Sequence, residues 1–140
     1  MTSQDIALIR ESFRKIGPTA DQVAALFYAR LFELDPSLRQ LFHGDMTTQG
    51  CKFMQMIGRA IESLDQSEVV SETLRQLGER HARYGVRDDH YATVGVALLW
   101  TLEKSLGSSF TPAVKSAWTA TYALFTRTMM AGAHSAANAA

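Results

Sequence analysis

The amino-acid sequence predicts an all-α domain, and three observations carry that prediction. Apolar residues recur at three- and four-residue steps over long stretches, which is the spacing of one face of a helix. No stretch alternates apolar and polar residues in the way of a half-buried strand. Only three prolines occur in the 140 residues, and two of them, Pro36 and Pro112, directly follow the helix-capping residues Asp35 and Thr111.

Capping residues and turns divide the chain into seven predicted helices. The first two begin at capping-box patterns, "TSQD" and "TADQ", where two side chains three residues apart satisfy free backbone N–H groups. The third and the last begin at the Asp-Pro and Thr-Pro pairs, and turns rich in Gly, Asp and Ser separate the others. The predicted helices span residues 3–16, 19–34, 36–42, 48–64, 71–84, 89–106 and 111–131.

The composition is that of one folded domain, which we expect over residues 1–132. The remaining tail, 133–140, consists of small residues in a weak pattern and is expected to be frayed or disordered. The formal net charge is +0 and the basic residues are dispersed, so we expect no nucleic-acid partner and no membrane partner. A single cysteine, Cys51, and the lack of a signal peptide or a long apolar segment favour a cytoplasmic protein.

One histidine lies on the apolar face of a predicted helix, in "LGERHARYGV". Leu74, Leu77, His81 and Tyr84 recur at helical steps, so the pattern predicts that all four side chains point inward. A buried imidazole needs a hydrogen-bond partner or a metal, because leaving it unpaired is costly. The carbonyl of Leu77, one turn earlier, is a natural acceptor for one of its ring nitrogens.

Two further polar side chains are predicted to face the interior. Tyr28 lies within the apolar face of the second helix, and Gln49 heads an otherwise apolar stripe of the fourth. On periodicity alone, a buried Tyr or His is more often a satisfied core residue, and a Gln at a helix start is usually solvated. Nucleotide-binding glycine motifs, zinc motifs and nucleophile turns are all missing from the sequence.

The chain as a whole resembles bacterial single-domain haemoglobins, globins similar to the haem domain of flavohaemoglobins. The resemblance extends from about residue 3 to about residue 131. Each matching piece is modest alone, but their order and separations together are specific. The pieces are "LFYARLFELDPSLRQLF", the pair Gln49 and Phe53, "LGERHARYGV", "HYATVG" and "AWTATY".

The resemblance implies a globin fold, a three-over-three helical sandwich around haem b (iron protoporphyrin IX). It implies that His81 is the proximal ligand to the iron and that Tyr28 and Gln49 are the distal polar pair. Phe53 would occupy a distal position where leucine is more usual. The other positions that match haem-contacting residues are Phe42, Leu77, Val86, Tyr91 and Val94. One expected partner is missing, because flavohaemoglobins place a glutamate near the proximal histidine, in the stretch where this chain has Gly132 and Ala133.

These residues imply high-affinity oxygen binding, because Tyr28 and Gln49 would both donate hydrogen bonds to dioxygen in the pocket. Nitric oxide and carbon monoxide are further expected ligands. The resemblance also implies conversion of nitric oxide to nitrate, which needs an electron each cycle and therefore a separate reductase. A gas sensor, an oxygen store or carrier without turnover, and a haem-free helical module are the alternatives.

Overall fold

The computed structural model describes the backbone of residues 1–139 and the side chains of residues 1–135. Helices dominate, and no β-strand occurs in this part of the chain, so the all-α prediction is confirmed. None of the described helices is both long and apolar enough to cross a membrane. The α-helices are α1 (Ser3–Ile16), α2 (Ala20–Leu34), α3 (Met46–Glu62), α4 (Ser67–Arg83), α5 (Asp88–Leu106) and α6 (Pro112–Ala139), with 3-10 segments at Gly17–Thr19, Pro36–Leu41 and Gly107–Ser109.

Side-chain caps begin α1, α3 and α6, whereas the residues before α2, α4 and α5 make no side-chain cap hydrogen bond. The first capping box is present, because Thr2 Oγ1 accepts from the amide of Asp5 at 3.1 Å and Asp5 Oδ2 accepts from the amide of Thr2 at 3.0 Å. Thr111 caps α6 as predicted, with its hydroxyl 3.2 Å from the amide of Val114. The second predicted box is wrong, since Thr19 makes no side-chain cap and a 3-10 turn leads directly into α2.

Several other helix boundaries also differ from the sequence prediction. Helix α3 begins at Met46 because Asp45 caps it, accepting from the amide of Thr48 at 3.0 Å. The prediction that Tyr84 faces inward is wrong: this residue is 69% exposed, because α4 ends at Arg83 and the next residue leaves the helical face. Helix α6 continues to Ala139, which makes residues 133–139 of the predicted tail helical, in keeping with their high alanine content. Ala140 lies outside the described residues, and the division of the chain at residue 132 stays a prediction.

Most of the apolar core lies between α1, α2, α3, α5 and the first half of α6. Helix α2 packs against α3 and α5, while α1 packs against α3, α5 and α6. A buried polar pair joins the two ends of the chain: the indole N–H of Trp118 donates to Ser12 Oγ at 2.8 Å, and Ser12 donates to the carbonyl of Ile9 at 3.0 Å. Burying both groups costs little because each one is hydrogen-bonded.

Helix α4 stands apart from this main core. Its extensive packing is against α6, and its buried residues belong to a second, smaller apolar cluster. That cluster is formed by Val70, Leu74, Tyr91 and Met129, with the half-buried Leu77, Val86, Phe125 and Met130 packed around them. The fold therefore places His81 on a helix whose apolar contacts are separate from those of α2 and α3, which carry Tyr28 and Gln49.

Candidate functional site

Tyr28 and Gln49 are brought together by the packing of α2 on α3. The side-chain amide of Gln49 donates to the hydroxyl oxygen of Tyr28, with 3.3 Å between Nε2 and Oη. Tyr28 is buried and Gln49 is half-buried. Because the Tyr28 oxygen accepts this bond, its own O–H hydrogen remains available to a third partner. The two residues thus form a short hydrogen-bond chain that ends in a free donor.

Four phenylalanines surround the Tyr28 ring. Its ring centroid lies 5.0 Å from that of Phe27, 5.3 Å from that of Phe42 and 5.7 Å from that of Phe53, each in an edge-on arrangement. Phe32 stacks on the same ring at 6.0 Å. Aromatic pairs at these distances favour offset or edge-on geometry and exclude water from the space between them. The hydrogen-bond chain from Gln49 to Tyr28 is therefore set in an apolar aromatic wall.

Burial keeps the Tyr28 hydroxyl in its neutral form. Removal from water raises the pKa of Tyr28 above its ordinary value of 10.0, and the bond from Gln49 opposes this only in part. At neutral pH the group is accordingly a phenol that can donate a hydrogen bond. A phenolate at this position could only accept one.

His81 has one ring nitrogen engaged and the other free. Nδ1 lies 2.9 Å from the carbonyl oxygen of Leu77, which is the hydrogen bond that the sequence predicts. A carbonyl oxygen only accepts, so Nδ1 carries the proton. Burial lowers the pKa of His81 below its usual value of 6.5; the Leu77 bond opposes this shift and the charge of Arg80 reinforces it. The neutral imidazole therefore presents the lone pair of Nε2, which is the form that binds iron.

The other predicted pocket residues divide between the two apolar clusters. Leu77, Val86 and Tyr91 lie in the smaller cluster, and the Leu77 carbonyl is the hydrogen-bond partner of His81. Phe42, Phe53 and Val94 pack against the main core, so Val94 is not grouped with the other residues predicted from α4 and α5. The backbone carbonyl of Tyr91 accepts from the hydroxyl of Tyr122 at 2.5 Å, which fixes the start of α5 against α6.

These side chains fit a flat apolar cofactor held by one histidine. A protein-only metal site needs several ligands, and the described residues contain no group of three or more His, Cys, Asp and Glu that could hold an ion. Haem needs a single neutral imidazole and apolar walls, and His81 with Phe42, Phe53, Leu77 and Val86 are the residues that would supply both.

Sequence reasoning missed two features of this region. Phe27 stacks on Phe53 with ring centroids 4.5 Å apart, and it extends the aromatic wall behind Tyr28. The second feature is a pair of helical glycines, Gly78 in α4 and Gly132 in α6, that let these helices approach very closely. A glycine inside a helix costs about 1 kcal/mol relative to alanine, so both glycines were available signals of a close contact.

The chain is similar to known proteins in both sequence and fold. The family model described as Globin matches residues 25–129. The chain belongs to the globin family. It is 33% identical to the neuroglobin of Tetraodon nigroviridis over 146 aligned positions, covering 94% of this chain and 92% of that protein. It is 32% identical to neuroglobin-2 of Oncorhynchus mykiss, with the same coverage.

The structural comparison shows the fold alone. A solved structure described as a hexacoordinated heme protein from an anhydrobiotic tardigrade superposes with a TM-score of 0.87, covering 96% of both chains at 14% sequence identity. The predicted globin fold is thus confirmed, and haem is the cofactor of this globin. Dioxygen binding at the haem follows from family membership. These two relatives are described as neuroglobins, whereas the resemblance inferred from the sequence is to bacterial single-domain haemoglobins.

Proposed function

We propose that this globin binds dioxygen tightly through one distal hydrogen-bond chain, Gln49 to Tyr28 to the ligand, with His81 as the proximal iron ligand. When bound, haem supplies an iron coordination position that takes a diatomic gas. The observation that carries the proposal is the 3.3 Å contact between Gln49 Nε2 and Tyr28 Oη inside the aromatic wall. The free O–H of Tyr28 is the donor that a partly negative ligand atom would meet.

The two distal residues have different parts in this proposal. The sequence suggests two independent donors, whereas the geometry makes Gln49 a donor to Tyr28. Gln49 thereby holds the phenol with its hydrogen directed away from the amide. Tyr28 then makes the direct bond, which in a water-poor pocket contributes about 1–3 kcal/mol to ligand retention. Since about 1.4 kcal/mol is a factor of ten, the direct bond alone could slow oxygen loss by up to about 150-fold.

The same geometry supports an open sixth coordination position. The structurally similar tardigrade protein is described as hexacoordinated. In this chain the residues proposed for the distal side are a tyrosine, an amide and phenylalanines, and none of them is a strong ligand of ferrous haem. We expect the reduced, ligand-free protein to show a five-coordinate high-spin visible spectrum. A six-coordinate low-spin spectrum would require an internal side chain on the iron and would contradict the open-site proposal.

Nitric oxide dioxygenation is the proposed physiological reaction, in which nitric oxide, dioxygen and one electron combine to give nitrate. Strong retention of dioxygen by Tyr28 favours reaction over release. The electron would come from a separate flavin-type reductase, and we propose the cytoplasm as the compartment. This reaction and the bacterial single-domain class both derive from the sequence resemblance.

The decisive experiment adds nitric oxide to the oxygen-loaded globin in the presence of a flavin reductase and NADH. We expect nitrate to form in repeated turnovers, and Tyr28→Phe to reduce the yield per cycle because oxygen escapes sooner. Phe32→Leu is the matched control, since Phe32 stacks on Tyr28 but carries no hydrogen-bond donor. A single turnover without catalytic nitrate formation would instead support an oxygen store.

A further inference from the structure

Helices α4 and α6 meet backbone to backbone at two glycines. A methyl group built on Gly78 would lie 1.9 Å from the carbonyl oxygen of Met129, and one built on Gly132 would lie 2.2 Å from the carbonyl oxygen of Arg75. Neither space can hold a side chain, because the neighbouring atom in each case is a backbone oxygen that cannot rotate away. The two helices can therefore approach this closely only because both positions are glycine.

The two contacts are in register. Residue 78 lies against 129 and residue 75 lies against 132, so three steps along α4 match three steps back along α6. The helices therefore run antiparallel through a contact about one turn long. Leu77, whose carbonyl accepts from the His81 imidazole at 2.9 Å, lies inside that turn. The turn of α4 that orients the imidazole is therefore also the turn that contacts the backbone of α6.

This contact also excludes a glutamate at residue 132, one of the two residues where the chain departs from the flavohaemoglobin pattern. That pattern places a glutamate near the proximal histidine, in the stretch where this chain has Gly132 and Ala133. A glutamate at residue 132 would need a Cβ, and that atom would collide with the Arg75 carbonyl. Close helix packing and a glutamate at this position are mutually exclusive here.

We propose that Gly78 and Gly132 are positioning residues for the haem ligand, setting the placement of His81 relative to the cofactor through the α4 backbone. Helix α4 makes its extensive packing against α6, so the α4–α6 distance determines where the Leu77 carbonyl and the His81 ring stand. Separating the helices by more than about 1 Å, as an alanine requires for ordinary contact distances, displaces the imidazole with them. The proposal rests on the proposed role of His81 as iron ligand.

The test compares Gly78→Ala and Gly132→Ala with Gly50→Ala in the haem-loaded protein. Gly50 is a suitable control because its added methyl would meet Ala24 Cβ at 2.9 Å, a tight contact between α2 and α3 that is remote from α4. We expect all three variants to lower Tm. Only Gly78→Ala and Gly132→Ala should also shift the iron–histidine stretching frequency of the reduced protein, measured by resonance Raman spectroscopy.

Loss of stability without a frequency shift in Gly78→Ala and Gly132→Ala would overturn the proposal and leave the glycines as packing residues only. If Gly78→Ala yields no folded protein, Gly132→Ala decides alone, because it forces apart the same two helices at the second contact. Failure of the underlying ligand assignment is separable, since His81→Ala would then keep its haem with an unchanged spectrum.

Discussion

The two sides of the proposed haem pocket are built from different parts of the polypeptide. On the distal side, side chains make the important contacts: Gln49 bonds to Tyr28, and phenylalanine rings hold both in place. On the proximal side, the backbone does so, because a carbonyl orients His81 and two glycines bring α4 against α6. Substitutions on the distal side should therefore change single hydrogen bonds to the ligand, whereas substitutions at the proximal glycines should move a whole helix.

The largest expected effect is on the proximal side, where His81→Ala should abolish normal haem binding. The variant removes a neutral imidazole whose Nε2 lone pair is available to iron, and no backbone atom can replace it as a ligand. We expect protein purified largely without haem, with binding restored by added imidazole, as followed by the Soret absorbance. The exposed His43 provides the control, and His43→Ala should retain haem. Full haem retention by His81→Ala would remove this residue from the ligand role.

The second largest effect is expected on the distal side, for the rate of oxygen dissociation. Tyr28→Phe deletes one hydroxyl and little volume, and the loss of about 1–3 kcal/mol should raise the oxygen dissociation rate about 5- to 150-fold. Carbon monoxide carries much less charge when bound, so its dissociation rate should change far less. Stopped-flow measurements of both gases check this. Small, equal changes for the two gases would mean that the Tyr28 hydroxyl makes no bond to the ligand.

Substitution of the second distal residue should have a smaller effect. Gln49→Leu removes the donor to Tyr28 Oη but leaves the phenol in place, so it costs only the net value of a neutral hydrogen bond, about 0.5–1.5 kcal/mol. We expect oxygen dissociation to accelerate about 2- to 12-fold. Gln55→Leu, at an exposed position of the same helix, should leave the rate unchanged. A larger effect of Gln49→Leu than of Tyr28→Phe would make Gln49 the principal donor.

The smallest expected change is in the pH dependence of oxygen dissociation, which should show no response near neutral pH. Burial raises the pKa of Tyr28, so the phenol stays protonated through the whole range below its ordinary value of 10.0. The oxygen dissociation rate should therefore be constant from about pH 6 to about pH 9 and rise only in stronger alkali, where the donor is lost. A rate that increases through neutral pH would show that a different, more acidic group holds the ligand.

The helices and the three inward-facing polar residues could be predicted from the sequence because both depend on local spacing. The face of α4 that carries Leu77 and His81 follows from helical periodicity, and so does their hydrogen bond, since it joins residues four apart. The resemblance to globins then assigned these three polar residues to the proximal and distal sides of a haem pocket.

Features that depend on how distant segments meet could not be predicted in the same way. Gln49 and Tyr28 are 21 residues apart, and their bond depends on the packing of α3 on α2. The contact of Gly78 with Met129 depends on the register of α4 and α6, which no local pattern encodes. The exposure of Tyr84 escapes prediction because periodicity does not show the residue at which a helix stops.

In the proposed pocket, Gln49 and Tyr28 act on the ligand as one hydrogen-bonded unit. A double-mutant cycle tests it most directly, with oxygen dissociation rates for the unchanged protein, Tyr28→Phe, Gln49→Leu and the double variant. If Gln49 acts through Tyr28, the double variant should lose oxygen no faster than Tyr28→Phe alone. A rate equal to the product of the two single effects would instead show two independent donors and contradict the claim.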